Sequence, residues 1–106
     1  MARPRKARQA EPLPLLALIE AQGRCREAQR AFRRGLAADL GALPVAREVV
    51  AAEMSRLLGL EVNKSRLDCW TSPEKPHRMP AEHLPAFVQA TGHYGALRAL
   101  GEACGG

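Results

Sequence analysis

The chain has 106 residues, 46% hydrophobic and 25% charged, with 4% aromatics and a formal net charge of +5. That length holds one compact domain, or a smaller domain with a tail, and excludes a large α/β enzyme with its own cofactor domain. Scarce aromatics beside abundant Ala and Leu favour small helices packed through aliphatic faces over a β-sandwich or barrel, so the fold class expected is all-α.

The charge is unevenly placed. Residues 1–34 hold nine Lys/Arg against Glu11, Glu20 and Glu27, whereas residues 35–106 hold seven against eight Asp/Glu, a net of −1. The front third carries the whole excess. Such a segment suits a polyanion such as nucleic acid, and it equally suits a solubilising tail. Arg3, Arg5, Lys6 and Arg8 stand among two prolines without apolar periodicity, as in a flexible basic arm. The run from Leu13 to Ile19 is short, interrupted by Pro14 and bracketed by Glu11 and Glu20. It makes a poor signal-peptide core and cannot span a bilayer, so no membrane association and a cytoplasmic location are expected. Leu15, Leu16 and Ile19 fit one or two helical turns ending near Gly23. Residues 1–25 are therefore expected as a basic arm, flexible or partly helical, and 26–104 as the folded domain.

From Arg24 to Leu40, Ala28, Phe32, Leu36 and Leu40 recur every four residues, with Arg26, Arg30, Arg33 and Arg34 placed roughly opposite. This predicts an amphipathic helix with an arginine stripe, a solvated face or a phosphate-contacting one, closed by Gly41 and Pro44. Ala46–Leu58 is a second helical stretch, and Gly59 stands where a left-handed cap is wanted. Asn63 is a good N-cap for a short helix through Trp70, with Leu67 and Trp70 inward. Ser72–Met79 reads as a turn-rich connector. Pro80 can open the next helix, in which Pro85 predicts a late start or a kink before Gly92 ends it. Tyr94–Cys104 makes a last helix, with Leu97 and Leu100 expected to be buried.

No enzymatic constellation is evident. Cys25, Cys69 and Cys104 are odd in number and far apart, and no C-x-x-C occurs. His77, His83 and His93 have no zinc-finger spacing relative to them, so free thiols and no metal are expected. Glu82-His83 lacks a second histidine one turn on, no Gly-rich phosphate loop precedes a Lys-Ser/Thr pair, and no cofactor is implied. His77-Arg78 beside Lys75 suits a solvated loop more than a phosphate grip.

Residues 46–71 carry the functional signal: a helix, a turn opened by glycine, and a short helix with an inward Leu67/Trp70 pair, the layout of a helix-turn-helix. On a helical wheel Ser65 points most directly outward, flanked by Lys64, Asp68 and Cys69, with Arg66 to one side. Lys64 and Arg66 can donate to guanine or phosphate, Ser65 to either, and Asp68 can accept from cytosine.

The strings VVAAEMSRLLGLEVNKSRLDCWTS and HRMPAEHLPAFVQATGHYGALRALGEACG resemble the small lambda-repressor-like regulatory proteins of bacteriophages and prophages, over about residues 29–104. The resemblance implies a five-helix bundle with Ala46–Leu58 and Asn63–Thr71 as the DNA-reading helices. It makes Asn63, Lys64, Ser65, Arg66 and Asp68 candidate base contacts on double-stranded DNA. Phosphate contacts would come from Arg3, Arg5, Lys6, Arg8, Arg26, Arg30, Arg33 and Arg34. The turn after Gly59 is about two residues longer than the tight version. A module of this size buries little surface, so a homodimer is expected, through the last helix or the Leu15/Leu16/Ile19 segment. The near-neutral body suits a second class of function, a helical module that binds a protein partner and keeps the two helices as scaffold.

Overall fold

A computed structural model describes residues 14–105, and Arg3, Arg5, Lys6 and Arg8 of the basic arm lie outside the described residues. The described residues are all-helical. Five α-helices run in order: α1 (Leu15–Gly41), α2 (Arg47–Leu58), α3 (Lys64–Thr71), α4 (Leu84–Thr91) and α5 (Gly95–Ala103). A single 3-10 turn, Ala81–His83, precedes α4.

Helix α1 corrects the expectation of a break near Gly23. Its 27 residues run through Gly23 without interruption, about 40 Å at the usual rise per residue. A glycine inside a helix weakens it but removes no i→i−4 hydrogen bond, so it does not by itself end the helix. The helix also crosses residue 25, where the arm was expected to meet the folded domain. At the N-terminal end Leu15, Leu16, Leu18 and Ile19 are exposed. At the other end Leu36 and Leu40 are buried, with Phe32 packed against the same core.

Helices α1 and α5 pack closely and antiparallel. Gly35 faces Ala96, and a Cβ built on Gly35 would stand 2.7 Å from the Ala96 Cα. One turn on, the buried Asp39 carboxylate accepts hydrogen bonds from the backbone N–H groups of Gly95 (3.1 Å) and Ala96 (3.0 Å). These are the first N–H groups of α5, which have no acceptor inside their own helix. The contact also corrects the expected burial in α5. Ala96 is the fully buried residue, Leu97 is exposed, and Leu100 is half-buried against the core. With backbones this close, only a small side chain fits between them.

The other helices close the core. Val50, Ala51 and Met54 of α2, Leu67 and Trp70 of α3, and Leu84, Ala86 and Phe87 of α4 are buried together. Val49 and Leu57 of α2 stay exposed. Pro85 produces a late start: the chain makes the 3-10 turn first, and α4 begins with proline in its first turn, where the missing N–H costs nothing. Gly59 and Gly92 close α2 and α4 in the left-handed conformation, at φ +71° and +70°. No helix of the described residues is long and apolar enough to cross a membrane.

Candidate functional site

Helices α2 and α3 are joined by residues 59–63, and one side chain organises that turn. The Ser55 hydroxyl accepts from the Val62 N–H (2.8 Å) and lies 2.9 Å from both the Val62 and Ala51 carbonyls, to either of which it can donate. Val62 is thereby tucked into the core although it belongs to the turn. This accommodates the longer connection without loosening the pair. Ser55 was not singled out in the sequence, although a hydroxyl one turn after the buried Ala51 is a visible signal.

The buried Leu67 and Trp70 fix the rotation of α3, leaving Asn63, Lys64, Ser65 and Arg66 exposed. Each of these side chains has a definite setting. Asn63 is the N-cap, its Oδ1 accepting from the Arg66 N–H at 2.9 Å. Arg66 donates through Nη1 to the Glu61 carbonyl at 3.1 Å and, among the described residues, has no carboxylate partner. Ser65 has no hydrogen-bond partner among the described residues, and its hydroxyl is open to solvent.

Asp68 is placed differently from the expectation of a free acceptor. One carboxylate oxygen meets Lys64 Nζ and the other Arg47 Nη1, each at 2.8 Å. Arg47 also donates to the Thr71 hydroxyl at 3.2 Å. Lys64 first, then Arg47, hold the Asp68 carboxyl below the usual carboxylate range, against the opposing effect of burial. The same pairing raises the Lys64 ammonium above its ordinary value. Both Asp68 oxygens thus have partners in the protein, Lys64 within α3 itself and Arg47 across to α2. Of the five residues predicted to read bases, Ser65 and Arg66 are the least committed, and Lys64 keeps donors to spare.

The arginine stripe of α1 divides. Arg33 contradicts its expected role on the solvated face, because it is 5% exposed. It stands at i, i+3 and i+7 with Leu36 and Leu40, so it shares their buried face, and Arg33 in place of an apolar residue concealed this spacing. Its guanidinium crosses to the segment after α3. Nη1 donates to the Ser72 carbonyl, and Nη2 to the His77 carbonyl at 2.7 Å. The fork of donors therefore fastens both ends of the loop 72–77 to α1. Arg30 and Arg34 both pair with Glu27, at 3.2 and 3.1 Å, and the pairs are exposed. Arg34 and Arg30 together hold the Glu27 carboxyl below its usual range. Arg26 is exposed.

The fastened loop forms one wall of a groove of about 530 Å³ whose other wall is α3. Asn63, Ser65, Arg66 and Cys69 line the helix side, His77 and Arg78 the loop side, and Trp70 and Pro80 the base. No lining residue carries a carboxylate. Arg26, Arg30, Arg33 and Arg34 are not among the lining residues. His77 and Arg78, set down in the sequence as a solvated loop rather than a phosphate grip, line this groove, because a stretch with two prolines shows nothing of the arginine that fastens it. The half-buried Cys69 and the exposed Cys25 and Cys104 are free thiols. Comparisons with protein families, curated proteins and solved structures find no match to this chain.

Proposed function

We propose that the protein is a sequence-specific, double-stranded-DNA-binding transcriptional regulator of phage or prophage type, with a lambda-repressor-like helix-turn-helix formed by α2 and α3. The observation that carries this reading is the setting of α3. Leu67 and Trp70 anchor a helix of only eight residues, and its opposite face presents Lys64, Ser65 and Arg66 to solvent. A short helix held in this way can enter the major groove, where Arg and Lys donate to guanine and Ser to either partner. The basic residues 1–12 and the exposed Arg26 add the phosphate attraction that a near-neutral body lacks. Homodimer formation is part of the proposal. The exposed Leu15, Leu16, Leu18 and Ile19 at the start of α1 are the surface on which a second copy would pair.

The test is selection from a pool of random duplexes, followed by binding measurements on charge-reversed Lys64→Glu/Arg66→Glu. A DNA reader enriches one motif, and the double variant loses the preference. No enrichment by the wild-type chain would move the assignment to a protein-binding module with α2 and α3 as scaffold. The exposed Val45 and Val49, beside Gln89 and Ala90 of α4, offer that second reading an apolar surface of its own.

A further inference from the structure

The groove between α3 and the loop 72–80 adds a second wall, carrying His77 and Arg78, that base reading by α3 does not use. Three of its lining side chains are Arg66, His77 and Arg78, drawn from two separate segments of the fold, and none is acidic. Two other grooves of the described residues mix charges. The groove between α1 and α5 sets Arg24 against Glu27 and Glu102, and the one between α2 and α4 sets Arg56 against Glu48 and Glu53. In this groove the cations meet only backbone carbonyls. Arg66 rests on that of Glu61, while Arg78 folds over those of Lys75 and Pro76 at 3.2 and 2.8 Å. Such contacts orient a guanidinium and leave its full charge in place. The groove also opens beside the first turn of α3, whose backbone N–H groups add to the same positive field.

The loop wall is held rather than left to drift. Buried Arg33 grips the carbonyls of Ser72 and His77 from the far side, and Met79, one residue past Arg78, is itself buried. The backbone that carries His77 and Arg78 is therefore fastened on both sides of the two residues. A guanidinium held in place, as that of Arg78 is, loses less freedom on meeting an anion than one on a mobile tail.

We propose that this groove is a strand-binding cleft. The phosphodiester backbone of one DNA strand runs along the loop wall of the groove, gripped by Arg78 and His77, while Arg66 on the helix wall stays available to the bases. Arg33 is a positioning residue for the loop. The proposal rests on the reading of α3 as a DNA-binding helix, and it assigns the loop a contact that positions the protein without reading sequence.

The full chain, Arg78→Ala, Arg78→Lys and Arg98→Ala are compared by fluorescence anisotropy on mixed-sequence duplexes and on the enriched motif, over a series of NaCl concentrations. Arg78 and Arg98 are both exposed, so neither replacement should disturb the core, and Arg98 on α5 is not a lining residue of the groove. The expected result is that Arg78→Ala weakens binding to every duplex by about three- to tenfold and lowers the log–log salt slope by about 0.9. Arg78→Lys should restore most of the slope, and Arg98→Ala should match wild type. An Arg78→Ala protein that behaves like Arg98→Ala would overturn the cleft while leaving the reading of α3 intact. So would a change in which sequences are preferred at unchanged salt slope. A wild-type chain that binds no duplex at any salt concentration would overturn both.

Discussion

Gly35 of α1 meets the backbone of Ala96 of α5 with no room for a side chain between them. A Cβ built on Gly35 would lie 2.7 Å from the Ala96 Cα and 2.9 Å from its backbone nitrogen. The obstacle is main chain rather than a flexible side-chain tip, so α1 and α5 would have to separate. Gly35→Ala is expected to lower stability by about 1–3 kcal/mol, outweighing the helix propensity gained by replacing glycine. Gly23 is the internal control. It lies in the same helix with open space where a Cβ would stand, and Gly23→Ala should raise stability by about 0.5–1 kcal/mol. Opposite shifts of the denaturant midpoint would confirm both environments, and shifts of the same sign would contradict the packing.

Asp39 adds two hydrogen bonds between the same two helices. Its carboxylate accepts from the first two N–H groups of α5, from a position 6% exposed. Asp39→Ala would leave both donors facing a small gap, at an expected cost of about 1–3 kcal/mol. Asp39→Asn should recover only part, because its amide offers one acceptor and turns an NH2 group toward the other donor. Equilibrium unfolding of the two variants measures this, and equal stability of all three proteins would rule out the capping role.

Local signals were legible in the sequence where one residue determines one backbone state. Gly59, Asn63, Gly92 and Pro85 each act within a turn of their own position, and the structure places each as its chemistry requires. The Leu67/Trp70 pair was legible for the same reason, since its spacing alone orients α3. The pairing of Asp39 with Gly95 was not, because the partners are 56 residues apart and neither carries a mark of the other. Arg33 was misplaced because a charged residue on an apolar face reads as solvated until the loop carbonyls that receive it are known. Consequently the helix wall of the groove was legible, whereas the loop wall was weighed and set aside, because nothing in the sequence shows Arg33 holding it. The break expected near Gly23 gave that glycine more weight than it carries, since an internal glycine weakens a helix without removing a hydrogen bond from it.

Arg33 should be testable apart from DNA. Replacing it with methionine keeps much of the volume, removes both donors and leaves the Ser72 and His77 carbonyls without them. The expected outcome is a loss of about 1–3 kcal/mol and faster hydrogen exchange concentrated in residues 72–79. Arg33→Lys can reach one carbonyl at a time and should fall between. Binding to mixed-sequence duplexes should weaken in parallel with loop exchange, whereas Ser65→Ala should leave exchange unchanged. Exchange rising evenly across the whole domain would show that Arg33 serves global stability alone.

Asp68 supplies a prediction with a definite sign in pH. Its carboxyl is held below the usual range by Lys64 and then Arg47, so it binds protons less readily folded than unfolded. Stability from this group is therefore present above its unfolded pKa, near 4, and is lost as pH falls through the lower folded value. The side chain is 41% exposed, which limits the effect to under about 1 kcal/mol after solvent screening. Asp68→Asn should thus be slightly less stable than wild type at neutral pH, with the two unfolding midpoints converging as pH falls from about 4 through the lower folded value. A constant gap across that interval would mean that the carboxylate charge is irrelevant and that shape alone holds α3 to α2. A cycle with Arg47→Ala separates the contribution across the two helices, expected at about 0.5 kcal/mol, from that of Lys64 within α3. High salt should shrink both, since each pair is open to solvent on one side.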